Sequence, residues 1–336
     1  MRGWRRIARA PRGAAEGGGA PLEVWAYFQP TGPAGGWSWS NAGAIVSPDD
    51  GEYILVDTLM DAELTRAMLD SLPADADFSG RLILTHGDVD HVNGVPELDV
   101  GSTEIVAHAG AEMRLIPRST DRMVTAGSLL WRLIEGWGAL ARAMHGFAAG
   151  RRMLAFAKFA SLFEAFHMAG PAADLSGYAI DTFEGERRTV DAFGHRAELI
   201  HPGPAHTAGD LLVHLPSAGA LFAGDLVFYG CNPIAWAGDA RRIINILERI
   251  SRMEGVDVIV PGHGPAVDVG AIAVLVSYWE YVEGVAAGCA AANLTDAAAC
   301  ARAAMPSLPQ PFPRWEHPAR LYINGDVEMR HLAARP

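Results

Sequence analysis

The chain has 336 residues, half of them apolar, and 39 acidic against 27 basic side chains give it a formal charge of -12. Its length suits one large α/β domain with insertions, or two modest domains, with enough apolar residues for a sizeable core. The acidic balance excludes nucleic acid as the expected partner, because phosphates need a basic face that this chain lacks beyond its first residues.

Residues 1–20 carry five arginines and one acid and run into Gly17-Gly18-Gly19, with no apolar stretch behind Arg5-Arg6. That pattern fails as a secretory signal, so a disordered basic tail is expected over 1–20 and the cytoplasm is the expected compartment. No uninterrupted apolar run is long enough to span a bilayer, so no transmembrane segment is expected. Cys231, Cys289 and Cys300 are too few and too scattered for a disulfide framework or a four-thiolate site. Cys289 and Cys300 are near enough to pair, but free buried thiols are the expected state.

Strand-like stretches begin at Leu22, with Glu23 to Phe28, Trp39 to Val46 and Tyr53 to Asp57 reading as consecutive antiparallel strands. The Gly/Pro-rich turn from Thr31 to Trp37 is read as core packing of its tryptophans or as a flap that offers an aromatic ring to substrate. Asp57 closes its strand and is taken as a supporting carboxylate; a helix is expected over Asp61 to Leu72. The apolar run Leu82-Ile83-Leu84 then delivers Thr85-His86-Gly87-Asp88-Val89-Asp90-His91, two imidazoles and two carboxylates within six residues. Imidazole suits zinc and iron and carboxylate suits harder cations, so the string reads as a mixed nitrogen and oxygen metal site. Glu104 to His108 is another buried strand, and His108 is read as a structural histidine.

From Ser119 to Gly170 the strand signals stop, and apolar residues recur at spacings of three and four, as in helices. This locally basic, Phe-rich segment is expected to be a helical insertion: a lid, a dimer interface or a membrane-surface patch. Strands resume through Thr189-Val190, Ala197 to Ile200, Leu211 to Leu215, Ala220 to Asp225 and Val256 to Val260, with a helix over Asp239 to Met253. The candidate ligands His206, Asp225 and His263 each follow a strand, where loops at one sheet edge converge. Helices are expected over Ala266 to Ala292 and Asp296 to Ala303, followed by a Pro-rich tail with no visible chemistry.

Four pieces in this order, Thr85-His86-x-Asp88-x-Asp90-His91, Gly203-Pro204-Ala205-His206-Thr207-x-Gly209-Asp210, Phe222-Ala223-Gly224-Asp225 and Pro261-Gly262-His263-Gly264, resemble the metallo-β-lactamase-fold hydrolase superfamily. The resemblance implies an α/β fold, a four-layer αβ/βα sandwich spanning 21–290 with a binuclear metal site between its sheets. It leaves 119–175 as a helical insertion or lid and 291–336 as a helical, Pro-rich extension. It implies that one divalent ion is held by His86, Asp88 and His206 and another by Asp90, His91 and His263, with Asp225 bridging. Asp210 and Asp57 are then loop-fixing carboxylates. Zinc is the expected ion. Asp88 stands where histidine is commonest, which makes the first site harder and admits iron or manganese. Asn93 stands where glycine is usual, and asparagine tolerates the same turn.

The implied function is a hydrolase that uses a metal-bridging hydroxide on an ester, thioester, lactone or amide-like bond of a small, partly apolar substrate. Asp90 would orient the hydroxide and pass a proton to the leaving atom. Tyr229, four residues past Asp225, is a candidate to hydrogen-bond a substrate carbonyl, with packing as its other reading. Asn232 is a weaker candidate of the same kind. A diiron oxidoreductase of the same fold is the alternative, because a carboxylate at position 88 also occurs in that branch. A non-catalytic metal-binding member comes third. A homodimer through the insertion is a further expectation.

Overall fold

The computed structural model describes residues 3–11, 13, 20–29, 39–73, 75–111, 173–294 and 297–334. The flap expected around Trp37 and the insertion, up to residue 172, lie outside these residues.

Two sheets face each other. The first has seven strands in sequential order: β1 (Gly3–Ala10), β2 (Leu22–Phe28), β3 (Ala42–Ser47), β4 (Glu52–Val56), β5 (Asp77–Ile83), β6 (Glu104–His108) and β7 (Ala179–Phe183). Pairing is antiparallel from β1 to β4 and parallel from β4 to β7. The second has five strands, β8 (Arg187–Ala192), β9 (His195–Ile200), β10 (Leu212–Leu215), β11 (Ala220–Phe228) and β12 (Val258–His263). Only its β11–β12 pair is parallel.

Alternation along each strand divides its side chains between layers. Val24, Ala26, Phe28, Ile45 and Val56 of the first sheet meet Leu199, Val213, Phe222 and Val260 of the second. The opposite face of the first sheet, with Tyr27, Ala44, Val46 and Leu55, packs under α1 (Ala62–Leu69). Asp61 caps α1 by accepting from Leu64 N at 2.7 Å. Helices α3 (Ala240–Ser251) and α4 (Ile272–Ala291) cover the outer face of the second sheet through Ile243, Leu247, Leu275 and Tyr278. The short helix α2 (Val89–Val92) belongs to the His/Asp loop. The result is the expected αβ/βα layering.

Two expectations need correction. Residues 3–10 are not a disordered tail but strand β1, in register with β2. Its arginines face outward and find partners: Arg6 and Arg9 bond Glu23, and Arg5 lies over Phe28. Trp4 points inward, packs edge-on against Tyr27 at 5.3 Å and donates to Met68 O. Cys289 and Cys300 form a disulfide rather than free thiols, because the end of α4 and the start of α5 (Ala297–Ala304) turn back on each other with Cα atoms 6.2 Å apart. Val269–Ala291 is long and apolar enough by composition to cross a membrane, and 33% of its apolar window is buried. Its Leu275, Tyr278, Trp279 and Val282 pack beside α3.

The C-terminal residues also join this core: Phe312, Leu321 and Tyr322 pack into the α3–α4 layer, and α6 (Leu321–Ala334) runs along α4. They are a structural part of the domain rather than an appendage.

The two sheets are in tight contact at Gly43, where an added Cβ would stand 2.1 Å from Phe222 Cε1. Gly43→Ala is expected to lower the unfolding free energy by about 1–3 kcal/mol through overpacking. Urea denaturation measures this, and an unchanged midpoint would contradict the packing described.

Candidate metal centre

Strand β5 ends at Ile83, and Asp57, just past β4, sits beside it in a left-handed conformation with φ of 59°. Asparagine and aspartate tolerate that region better than other side chains. The bend turns the Asp57 carboxylate into the following loop. Its Oδ1 accepts from Thr85 N and its Oδ2 from Thr85 Oγ1, each at 2.7 Å. Oδ2 also accepts from His91 Nδ1 at 2.9 Å. With its proton committed to Asp57, the Thr85 hydroxyl accepts from His86 Nδ1 at 3.0 Å. One buried carboxylate thereby fixes both imidazoles with Nε2 bare.

The second sheet supplies the rest. His206 Nδ1 donates to Ile234 O at 2.8 Å, which turns Nε2 toward the Asp88 and Asp225 carboxylates. Asp210 fixes the His206 loop, accepting from Thr207 N at 2.9 Å and Thr207 Oγ1 at 2.6 Å. Asp225 lies within β11, and His263 ends β12. Gly262 must be glycine, since a Cβ there would meet Asp225 Oδ1 at 1.9 Å. Asn41 ties the first sheet to this loop, donating from Nδ2 to Pro261 O and Gly264 O, both at 2.8 Å.

Two buried groups result, His86 with His206 and Asp225, and Asp90 with His91 and His263; within each, the ligand atoms lie within 4.8 Å of one another. Asp225 reaches both: its carboxylate is 3.4 Å from His206 Nε2, 3.2 Å from His91 Nε2 and 3.3 Å from His263 Nε2. Asp90 Oδ2 is 3.2 Å from His263 Nε2. Asp88 is more exposed and lies 3.0 Å from His206 Nε2. Tetrahedral bonds of about 2.1 Å separate ligand atoms by about 3.4 Å, so these spacings suit small cations. Buried His86 Nε2, which has no hydrogen-bond partner, points to the same conclusion.

The charges reinforce one another. Burial works against a protonated His206, but Asp225 and Asp88 outweigh it and raise its pKa to about 10. His91 and His263 are raised in the same way against burial, chiefly by Asp90 and Asp225 respectively. His86, pushed down to about 4 by burial and by neighbouring His91, is neutral at pH 7. Burial opposes ionisation of Asp225 too, yet His263, His206 and His91 hold it well below the usual carboxylate range.

The sequence profile of the metallo-beta-lactamase superfamily matches residues 35–263. The chain belongs to the metallo-beta-lactamase superfamily. The superfamily fold is also found in its structural neighbours. The sec-alkylsulfatase Pisa1 from Pseudomonas sp. superposes with a TM-score of 0.57 at 15% identity, over 100% of this chain and 51% of that one. A metallo-beta-lactamase family protein from Thermus thermophilus superposes with a TM-score of 0.54 at 15% identity, over 90% of each chain. A curated relative, 2,4-dinitroanisole O-demethylase subunit alpha from Nocardioides sp. (strain JS1661), is 32% identical over 93 residues, 25% of this chain and 26% of that protein. The chain therefore spans about half of the sulfatase and about a quarter of the curated relative.

All seven residues expected as ligands converge on this one place. Other candidates do not join them. The Tyr229 ring packs on Trp315 at 4.9 Å, while its N–H donates to His263 O. Asn232 turns away, bonding Phe312 O and Glu316 O through Nδ2. His108 stacks on His201 at 3.7 Å. A groove of about 1010 Å³ between β8–β10 and α3, lined by Arg187, Glu198, His214 and Arg249, contains none of the seven. Sequence reading missed Phe228, whose ring lies parallel to His263 at 5.2 Å, and Arg320, whose guanidinium lies 5.2 Å over Phe228.

Two outcomes are expected. Asp57→Asn, which withdraws the anion from His91 Nδ1, should weaken cation affinity about 10–100-fold in a chelator-competition assay. Because the neighbouring carboxylates raise the pKa of His91, His206 and His263, protons compete with a cation for these nitrogens, so uptake should release protons and weaken as pH falls. Calorimetry in buffers of different ionisation enthalpy reads this directly, and buffer-independent heats would refute it.

Proposed function

We propose that this chain is a binuclear metal-dependent hydrolase acting on an ester, thioester, lactone or amide-like bond of a small, partly apolar substrate. The observation that carries the proposal is the pair of buried His/Asp groups joined through Asp225, with bare imidazole nitrogens turned inward. Superfamily membership supports it. Two divalent cations held there, zinc in the first instance, would supply Lewis acidity and an ionised water as nucleophile.

The chain's own residues divide the remaining work. His86, His206 and Asp88 would hold one ion and Asp90, His91 and His263 the other, with Asp225 common to both. Asp90, whose pKa His91 and His263 lower despite its burial, would orient the nucleophile and take up its proton. Half-buried Tyr229 and Trp236 donate their N–H groups to His263 O and His206 O, half-buried Trp39 precedes Ser40, which donates to Asp90 O, and these three rings favour an apolar substrate. The Tyr229 ring packs on Trp315, and Tyr229→Phe, which removes only the hydroxyl, tests whether that hydroxyl also meets a substrate carbonyl. The anionic Asp88 also favours a second reading, a diiron oxidoreductase. The curated relative's name adds aryl methyl ethers to the bonds worth assaying.

Elemental analysis of protein purified without added metal, together with a panel of ester, thioester, lactone, β-lactam and aryl ether substrates, tests the proposal. About two zinc per chain with turnover supports it, and iron without hydrolysis favours the second reading. His86→Ala and Asp225→Ala should each lose metal and activity together while circular dichroism stays unchanged. Turnover retained after metal removal would overturn the mechanism.

A further inference from the structure

Behind His206 stands a loop that the C-terminal helix holds in place. At Nδ1, the side away from the carboxylates, His206 is oriented by Ile234 O, and its own carbonyl accepts from Trp236 N at 2.8 Å. The segment Pro233–Trp236 is thus the mould for this imidazole, although it belongs to no helix or strand. Asn324 of α6 brackets that segment: Nδ2 donates to Pro233 O at 2.9 Å, and Oδ1 accepts from Ala235 N at 3.1 Å. These are the two bonds that a neighbouring strand would make, and they leave the intervening Ile234 carbonyl to His206. The second Nδ2 hydrogen goes to the Tyr278 hydroxyl at 2.8 Å, which fixes the amide's orientation from α4. Asn324 is 2% exposed and Tyr278 0%, so no solvent competes for these bonds.

We propose that Asn324 is a positioning residue of the metal centre, which sets the Nε2 direction of His206 through the Ile234 carbonyl and so tunes the affinity of one cation site but not the other. The selectivity follows from the wiring. His91 and His86 take their orientation from Asp57 and Thr85 on the first sheet, and nothing in that chain of bonds passes through α6. A side chain on the helix farthest along the sequence therefore acts on the group of His86, His206 and Asp225, and leaves the group of Asp90, His91 and His263 alone. The inference rests on the two groups binding divalent cations.

Cobalt(II) titration followed by visible absorption resolves the two sites. Wild type is expected to take up two ions. Asn324→Ala, and Asn324→Asp, which cannot donate to Pro233 O, should weaken one site about 10–100-fold and leave the other within about twofold. Tyr278→Phe, which keeps the ring in place, should shift the same site in the same direction by a smaller factor. Glu328→Ala is the control: it removes a bond from the same helix to Ala240 N rather than to the Pro233–Trp236 loop, and should lower the melting temperature without selective loss of a site. Two equally tight sites in both Asn324 variants, or equal weakening of both sites in Asn324 variants and control alike, would overturn the role of Asn324. Failure of wild type to bind cobalt would instead overturn the metal-centre reading itself.

Discussion

The carboxylate of Asp57 is the constraint on which this centre depends. It is held in left-handed backbone geometry, which costs of order 1–3 kcal/mol, and it accepts three hydrogen bonds from Thr85 and His91. Those bonds select the tautomers of two imidazoles, one directly and one through the Thr85 hydroxyl. An anion behind the ring also raises the basicity of the nitrogen in front of it. The density of donors in the loop after β5 would be of little use without this carboxylate, because free imidazoles pair with whatever acid is nearest.

Around that point the two sheets are tied at their common edge. Leu211 N donates to Thr85 O at 2.6 Å, Asn41 N to Gly262 O at 2.7 Å, and Ser40 Oγ to Asp90 O at 2.5 Å. The ties join ligand segments of the two sheets to each other and to the loop before β3. Apolar packing behind the edge, from Val24 to Val260, holds the layers at a set distance, and the polar ties set their register.

Much of this is legible in the sequence, for definite reasons. The seven residues expected as ligands sit in four short strings, each just after or within a buried strand, so local pattern and chemistry coincide. Strands such as Glu104–His108 read correctly because they are continuous apolar runs bounded by turns. The role of Asp57 is half legible: its strand-end place shows, but its partners lie 28 and 34 residues away. Strand β1 is hidden by its arginines, which suggest a tail unless the acid and aromatic partners on β2 are known. Asn324 and Arg320 look like ordinary polar residues of a terminal helix. Only tertiary packing reveals that both are buried, one against the Pro233–Ala235 backbone and the other over Phe228. The pairing of Cys289 with Cys300 likewise depends on how two helices turn, which an eleven-residue spacing does not decide.

Both donor groups are mixed: His86, Asp90 and His91 come from the first sheet, and His206, Asp225 and His263 from the second. Any cation held there is consequently a cross-link between the halves of the sandwich. A ligand that binds only the folded form adds stability by mass action, about 2.7 kcal/mol at a hundredfold excess over its dissociation constant. On the proposed function, ion supply would then govern more than turnover. Chains starved of the cation would open more often and meet proteases in that state, so free metal in the surroundings would bear on the lifetime of the protein as well as on its loading.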